Sequence, residues 1–212
     1  MVVDKMEIIK DFISERYYKM VPQYITIHET SNYNNGANAK MHAKYLKNID
    51  TDSKCWHFTV DDKEIYQHIP TDYNGWHCTD GLYGDGNRKS IGIEICVNRD
   101  GDFDKALQNA AELIASLMKK YELNLSSVVQ HAKWYKKECP ARIRKEGLWD
   151  QFKEDIYKEL TKDDIPEWKL DALKELYEAG IINDYEGWKK KINQPLPAWA
   201  SFIIMNKIRK EK

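Results

Sequence analysis

No apolar run in this 212-residue chain approaches the ~20 residues that a membrane-spanning helix needs. A helical anchor within the sequence is thereby excluded, and no membrane partner is expected. An excess of one charge is missing too: 33 Lys+Arg stand against 34 Asp+Glu, for a formal net charge of −1. Residues 161–212 hold ten basic and nine acidic side chains, so neither the tail nor the remainder attracts phosphate strongly. Nucleic acid is therefore not an expected partner, and Lys189-Lys190-Lys191 reads as solvated surface. Cysteines are few, and Cys55, Cys78, Cys96 and Cys139 follow no framework spacing. That pattern favours free thiols or a metal ligand over disulfides. The opening MVVDKMEIIKDFISERYY has no apolar h-region and no small-residue cleavage site, so it does not read as a secretory signal. The expectation is a product held in the cytoplasm of the producing cell until something else releases it. Internal repeats and low-complexity segments are absent as well.

What is present suffices for a full domain and a small appendage: 42% of residues are apolar and 12% aromatic. Residues 6–18 read as a short amphipathic helix. YITIHET (24–30) alternates and is β-branched, which predicts a strand ending at His28. NAKMHAKYLKN (38–48) is helix-like. CWHFTVDDKEIYQHIP (55–70) reads as a hairpin around Asp61-Asp62-Lys63, and DGLYGDGN (80–87) as a loop. KSIGIEICVN (89–98) predicts another strand. From Asp104 to Tyr121, Leu107, Ala110, Ala111, Ile114, Leu117, Met118 and Tyr121 fall at three-four spacing and make one helix face. SSVVQH (126–131) is a further strand ending at His131. This irregular mixture predicts an α/β fold: a mixed central β-sheet flanked by helices.

A composition shift near 158–164 divides the chain into residues 1–158 and 159–212. Asp164-Ile-Pro-Glu167 is a helix start, with Asp as N-cap and Pro in the first turn. Trp168, Ala172, Leu173, Leu176 and Tyr177 then share a face, and Gly180 is the stop. A second helix is expected from Pro197. Two helices make a very small core, so this C-terminal domain is expected to lean on the first or on a partner.

HAKWYKKECP (131–140) raises the question of a metal. On one helix, eight residues at ~1.5 Å each would hold His131 and Cys139 ~12 Å apart, too far to share an ion. A shared ion requires the chain to fold back as a loop, and Pro140 suits one. The alternative is a buried cysteine beside an unrelated histidine. His28 is a third candidate, since neighbouring strands ending at His28 and His131 would present both imidazoles at one sheet edge. Three protein ligands leave a fourth position open, the mark of a catalytic rather than a structural zinc.

YITIHET, WHFTVDDKEIYQHIP, GWHCTDG, GNRKSIGIEICVN and VVQHAKWYKKECPARI together resemble the zinc-dependent N-acetylmuramoyl-L-alanine amidases, especially endolysins of phages of Gram-positive bacteria. More distantly the chain is similar to peptidoglycan recognition proteins. The resemblance covers roughly residues 20–155. It implies the amidase/peptidoglycan-recognition fold, bacterial peptidoglycan as partner, and one catalytic Zn2+ held by His28, His131 and Cys139. It implies Glu94 as general base and acid, and Lys137 as the cation that steadies the oxyanion, with Lys136 as its competitor. Some relatives use a tyrosine just before the histidine of the HF motif; Trp56 stands here and has no ionisable hydroxyl. On strand alternation alone, Glu94 shares a face with Gly92 and Cys96, and a solvent-facing residue is the plain alternative.

Substrate contacts implied by the resemblance are His77, Asn87 and Arg88. His42, His57 and His68 read as structural or surface residues. The tail faintly resembles a single S-layer-homology-like unit of the kind appended to clostridial amidases, implying a wall-binding module with aromatic platforms. The same aromatics alternatively pack the two helices or form a dimer interface. The function implied is hydrolysis of the amide between N-acetylmuramic acid and L-alanine of the stem peptide by a phage or prophage endolysin. A non-hydrolytic muropeptide receptor of the same fold, and a host autolysin or recycling amidase, are the rivals.

Overall fold

The computed structural model describes residues 7–13, 18–49, 54–161 and 167–189, with positions 192, 202, 205 and 206. The chain divides into two compact units, Met1–Thr161 and Lys162–Lys212. The first unit is built on one six-stranded sheet in the order β1-β4-β3-β5-β2-β6. Its strands are β1 (Ile8–Lys10), β2 (Tyr24–Glu29), β3 (Phe58–Val60), β4 (Ile65–Gln67), β5 (Ser90–Ile95) and β6 (Val128–Gln130). Only the β3–β4 hairpin is antiparallel; the other neighbours run parallel, so the sheet is mixed. The helices are α1 (Ala39–Lys47), α2 (Asp85–Lys89), α3 (Phe103–Tyr121), α4 (Ala141–Lys145) and α5 (Trp149–Thr161).

The two central strands explain the layout. In β2 and β5, Ile25, Ile27, Ile91, Ile93 and Ile95 are fully buried and point to one face of the sheet. They pack with Ala110, Ile114 and Leu117 of α3 and Phe152 and Ile156 of α5. Because side chains alternate along a strand, Thr26, His28, Gly92 and Glu94 are driven to the opposite face. Burying a side chain such as Ile93 contributes about 1.5–3 kcal/mol. The core thus fixes which face carries the chemistry.

Three features differ from expectation. Residues 8–10, read as part of a helix, form β1 and pair in parallel with β4; positions 6 and 14–17 of that expected helix lie outside the described residues. Pairing across the sheet overrides a local three-four apolar spacing. The glycine-rich stretch 80–87 is only partly a loop, because residues 85–89 form α2. The Asp80 carboxylate accepts from the N–H groups of Gly86 (2.6 Å) and Asn87 (3.2 Å), satisfying donors of the first turn. Third, α4 and α5, which the sequence alone did not place, complete the core.

The second unit contains α6 (Glu167–Glu178) and α7 (Tyr185–Lys189). Gly180 takes φ of +69° just past α6, the left-handed position that glycine allows at a helix stop. Leu173 and Ile182 are buried, but Trp168 is 67% exposed and so does not join the packed face expected of it. Tyr177 and Tyr185 meet edge to face at 5.7 Å. The expected cap at Asp164 and the helix from Pro197 lie outside the described residues. Among the described residues no helix is long and apolar enough to cross a membrane.

Candidate metal centre

His28 emerges from β2 on the face opposite the isoleucine core and is 2% exposed. β6 pairs with β2 in parallel, and His131 follows directly after β6 at the start of a single 3-10 turn. Adjacent strand ends therefore bring the two imidazoles together, with Nδ1 of each 3.0 Å apart. The chain then doubles back: the Ala132 N–H donates to the Cys139 carbonyl at 3.2 Å. This places the Cys139 Sγ 3.8 Å from His28 Nδ1. Ligand atoms of His28, His131 and Cys139 all lie within 4.8 Å of one another.

The loop bearing Cys139 is tied to β2 by a residue the sequence did not single out. Glu29, next to His28 but on the other face, is 4% exposed. Its carboxylate accepts from the Arg142 N–H (2.7 Å) and the Ile143 N–H (2.8 Å) at the start of α4. A charged residue on the core side of a strand was the available signal. The Cys139-Pro140 peptide is cis.

The chemistry of the donor set fits a soft or borderline divalent ion such as zinc. Burial holds His28 well below the ordinary imidazole value, and the neighbouring His77 and His131 push the same way. Burial lowers His131 as well, with Lys137 adding to it. Both rings are therefore neutral, the form that ligates. The His131 Nε2–H donates to the Cys78 carbonyl at 3.0 Å, which leaves its Nδ1 lone pair facing His28 and Cys139. Burial, followed by the charge of Glu94, pushes the Cys139 thiol up to about 12. Without a cation the sulfur keeps its proton; a bound cation displaces it.

The three side chains line a cleft of about 350 Å³ that also receives Glu94, Lys54 and Lys137. Glu94 keeps some exposed surface, but its Oε2 is enclosed and makes no hydrogen bond to protein. Burial pushes the Glu94 carboxyl up to about 7, against the pull of the Lys54 and then the Lys137 ammonium. Lys54 is a second unforeseen member of the cleft, since nothing in its local sequence distinguishes it from surface lysines. Lys137 is exposed and lines the cleft, whereas Lys136 is exposed and does not. The Trp56 indole N–H is committed to the Thr59 hydroxyl at 2.7 Å.

The other expected contacts fall differently. Asn87 is fully buried, and its Oδ1 accepts from the N–H groups of His77 and Cys78, both at 2.8 Å. Arg88 lies over the Tyr18 ring, 4.7 Å from its centroid. Neither lines the cleft; Asn87 is used up in holding the loop and Arg88 in an aromatic contact. His77 does line it, but both ring nitrogens face protein atoms: His28 at 3.0 Å and the Ser90 carbonyl at 3.2 Å. His57 is structural: its Nδ1 accepts from Gly92 and its Nε2 donates to Tyr73.

A nitrogen–nitrogen–sulfur trio in one cleft, beside a carboxylate with one unpartnered oxygen, has the make-up of a candidate mononuclear metal site on an α/β scaffold. The chain belongs to the N-acetylmuramoyl-L-alanine amidase family, whose model matches residues 18–142. It is 55% identical over 148 residues to the N-acetylmuramoyl-L-alanine amidase CwlH of Bacillus subtilis (strain 168), covering 68% of this chain and 58% of that protein. With the amidase XlyA of the same organism it shares 53% identity over 156 residues, covering 71% of this chain and 51% of the relative. The chain thus spans a little over half the length of these relatives. The solved structure of the catalytic domain of XlyA superimposes with a TM-score of 0.67 at 52% identity, covering 71% of this chain and 99% of that one.

Proposed function

We propose that residues 1–158 form a zinc-dependent peptidoglycan hydrolase that cleaves the amide between N-acetylmuramic acid and the L-alanine of the stem peptide. The observation that carries this reading is the meeting of His28, His131 and Cys139 beside the unpartnered Oε2 of Glu94 in one cleft. His28, His131 and Cys139 would hold one zinc ion. Zinc bound there supplies a Lewis acid that polarises a carbonyl and makes water acidic near neutral pH.

The remaining work falls to this chain's own residues. Glu94, with its carboxyl raised to about 7, is poised to accept a proton from attacking water. The same carboxyl then delivers that proton to the departing L-alanine nitrogen, without which the amine is a poor leaving group. The Lys137 ammonium stabilises the negative charge that develops on the carbonyl oxygen. Trp56, its N–H already engaged, takes no part in proton transfer. The proposed setting is lysis of a bacterial host by a phage or prophage enzyme acting on the cell wall after release.

Residues 159–212 are proposed as a small helical wall-binding domain. Exposed Trp168 and Tyr177 supply aromatic faces for sugars, and the compact unit beginning at Lys162 supports the division. Tethering raises the concentration of the catalytic unit at an insoluble substrate. A dimer through the same aromatics is the competing use and would appear in sedimentation.

The test is clearance of purified cell walls together with labelling of newly exposed amino termini. L-alanine ends from the wild type, and none from Glu94→Gln or Cys139→Ser, support the reading. Wall binding with no released L-alanine would establish the muropeptide receptor instead.

A further inference from the structure

Two backbone carbonyls decide where the protons of the centre sit. His77 Nε2 lies 3.2 Å from the Ser90 carbonyl, which only accepts, so that nitrogen carries the ring proton. The Nδ1 of His77 is then an acceptor, and His28 Nε2 stands 3.0 Å from it. His28 must donate through Nε2, which leaves its Nδ1 bare. His131 is bared in the same way, because its Nε2–H donates to the Cys78 carbonyl. The two unprotonated Nδ1 atoms face each other across 3.0 Å, a contact that repels until a cation sits against both.

We propose that His77 is a positioning residue for the metal centre: it accepts the His28 Nε2–H and so holds His28 in its Nδ1-ligating tautomer and orientation. This rests on the metal-centre reading. It departs from the substrate-contact role, since the ring is 9% exposed and both nitrogens are turned to protein. The surroundings are shaped to hold this ring. A Cβ on Gly92, in the interior of β5, would fall 2.7 Å from both Cγ and Nδ1 of His77. A Cβ on Gly75 would fall 2.9 Å from Cδ2 of the same ring. Glycine within an otherwise isoleucine-rich strand marks a close approach, and here the approaching group is the imidazole. Asn87 fixes the His77 backbone through its N–H. Cys78 Sγ, 3.1 Å from His77 Nδ1, competes with His28 for the same lone pair without altering which nitrogen holds the proton.

Long-range 1H–15N NMR of the ring nitrogens, on the full chain stripped of metal at pH 8, tests this directly. The expected result is the Nε2–H tautomer for both His28 and His77. An Nδ1–H on either ring overturns the proposal, and this readout does not depend on metal binding. Zinc affinity by chelator competition is the second measurement, with folding followed by circular dichroism. His77→Phe, which keeps bulk without an acceptor, is expected to lose about 10–100-fold in affinity. His77→Gln, able to accept from His28 and donate to Ser90, is expected to retain most of it, as is Cys78→Ala. Equal losses in the Phe and Gln variants with the fold intact, or a loss in Cys78→Ala matching that of His77→Phe, overturn the proposal. If His77→Phe fails to fold, the wild-type tautomers still decide. A wild type that takes up no zinc refutes the metal-centre reading while leaving the proton positions measurable.

Discussion

His28 and Glu94 are register partners on the adjacent parallel strands β2 and β5, and they face the same side of the sheet. Neighbouring parallel strands lie about 4.8 Å apart, so the carboxylate proposed for proton transfer is set beside a proposed ligand by sheet geometry alone. Neither side chain depends on a flexible loop for its place.

The first prediction concerns Glu94. Replacing it with Gln should lower hydrolysis by about 10²–10⁴-fold while zinc content stays near one equivalent. Product release and metal analysis on the same sample check it.

Stability should move the other way. The folded carboxyl sits at about 7 against an ordinary 4.5, so the folded state holds more protons than the unfolded one between those values. The contribution of Glu94 to stability is therefore greatest below about 4.5, falls as pH rises toward 7, and is flat above. In metal-stripped protein, Glu94→Gln should gain about 3 kcal/mol over wild type at pH 8 and nothing at pH 4. Urea midpoints at the two pH values measure this.

Zinc uptake should release protons. Burial keeps the Cys139 thiol protonated to about 12, so ligation at pH 8.5 should expel about one proton per ion. Calorimetry in two buffers of different ionisation enthalpy gives the number, and Cys139→Ala should abolish the release.

Glu29 should matter to stability without touching the reaction. Its carboxylate satisfies two N–H donors of α4, and Gln can satisfy only one. Glu29→Gln should cost about 1–3 kcal/mol, read as a lower urea midpoint at unchanged slope.

The adjacent lysines Lys136 and Lys137 should separate cleanly. Lys137→Met should lower kcat by about 10²–10³-fold, and Lys136→Met should leave it near wild type. Steady-state rates on a soluble muropeptide decide.

Much of the sheet was legible because β2 and β5 have no competing period: YITIHE and SIGIEI alternate strictly. Spacing alone left His131 and Cys139 as either a shared site on a fold-back loop or an unrelated pair, and the family resemblance joined them. The N-terminal strand was not, because EIIKDFI carries helical spacing and becomes a strand only through β4, far along the chain. Asn87 and Arg88 fall outside the cleft for a related reason. Their glycine-rich setting looks like open loop, while the Asp80 carboxylate turns it into α2 and draws Asn87 inward. Glu29 escaped notice because its partners, the amides of α4, do not exist until the chain has folded.

Strand β2 thus works as a two-sided gauge, with His28 reading one face and Glu29 the other. Inserting or deleting one residue within β2 would exchange the faces of every residue beyond it and send imidazole into the oil. A single codon gained or lost in β2 would abolish chemistry and folding together.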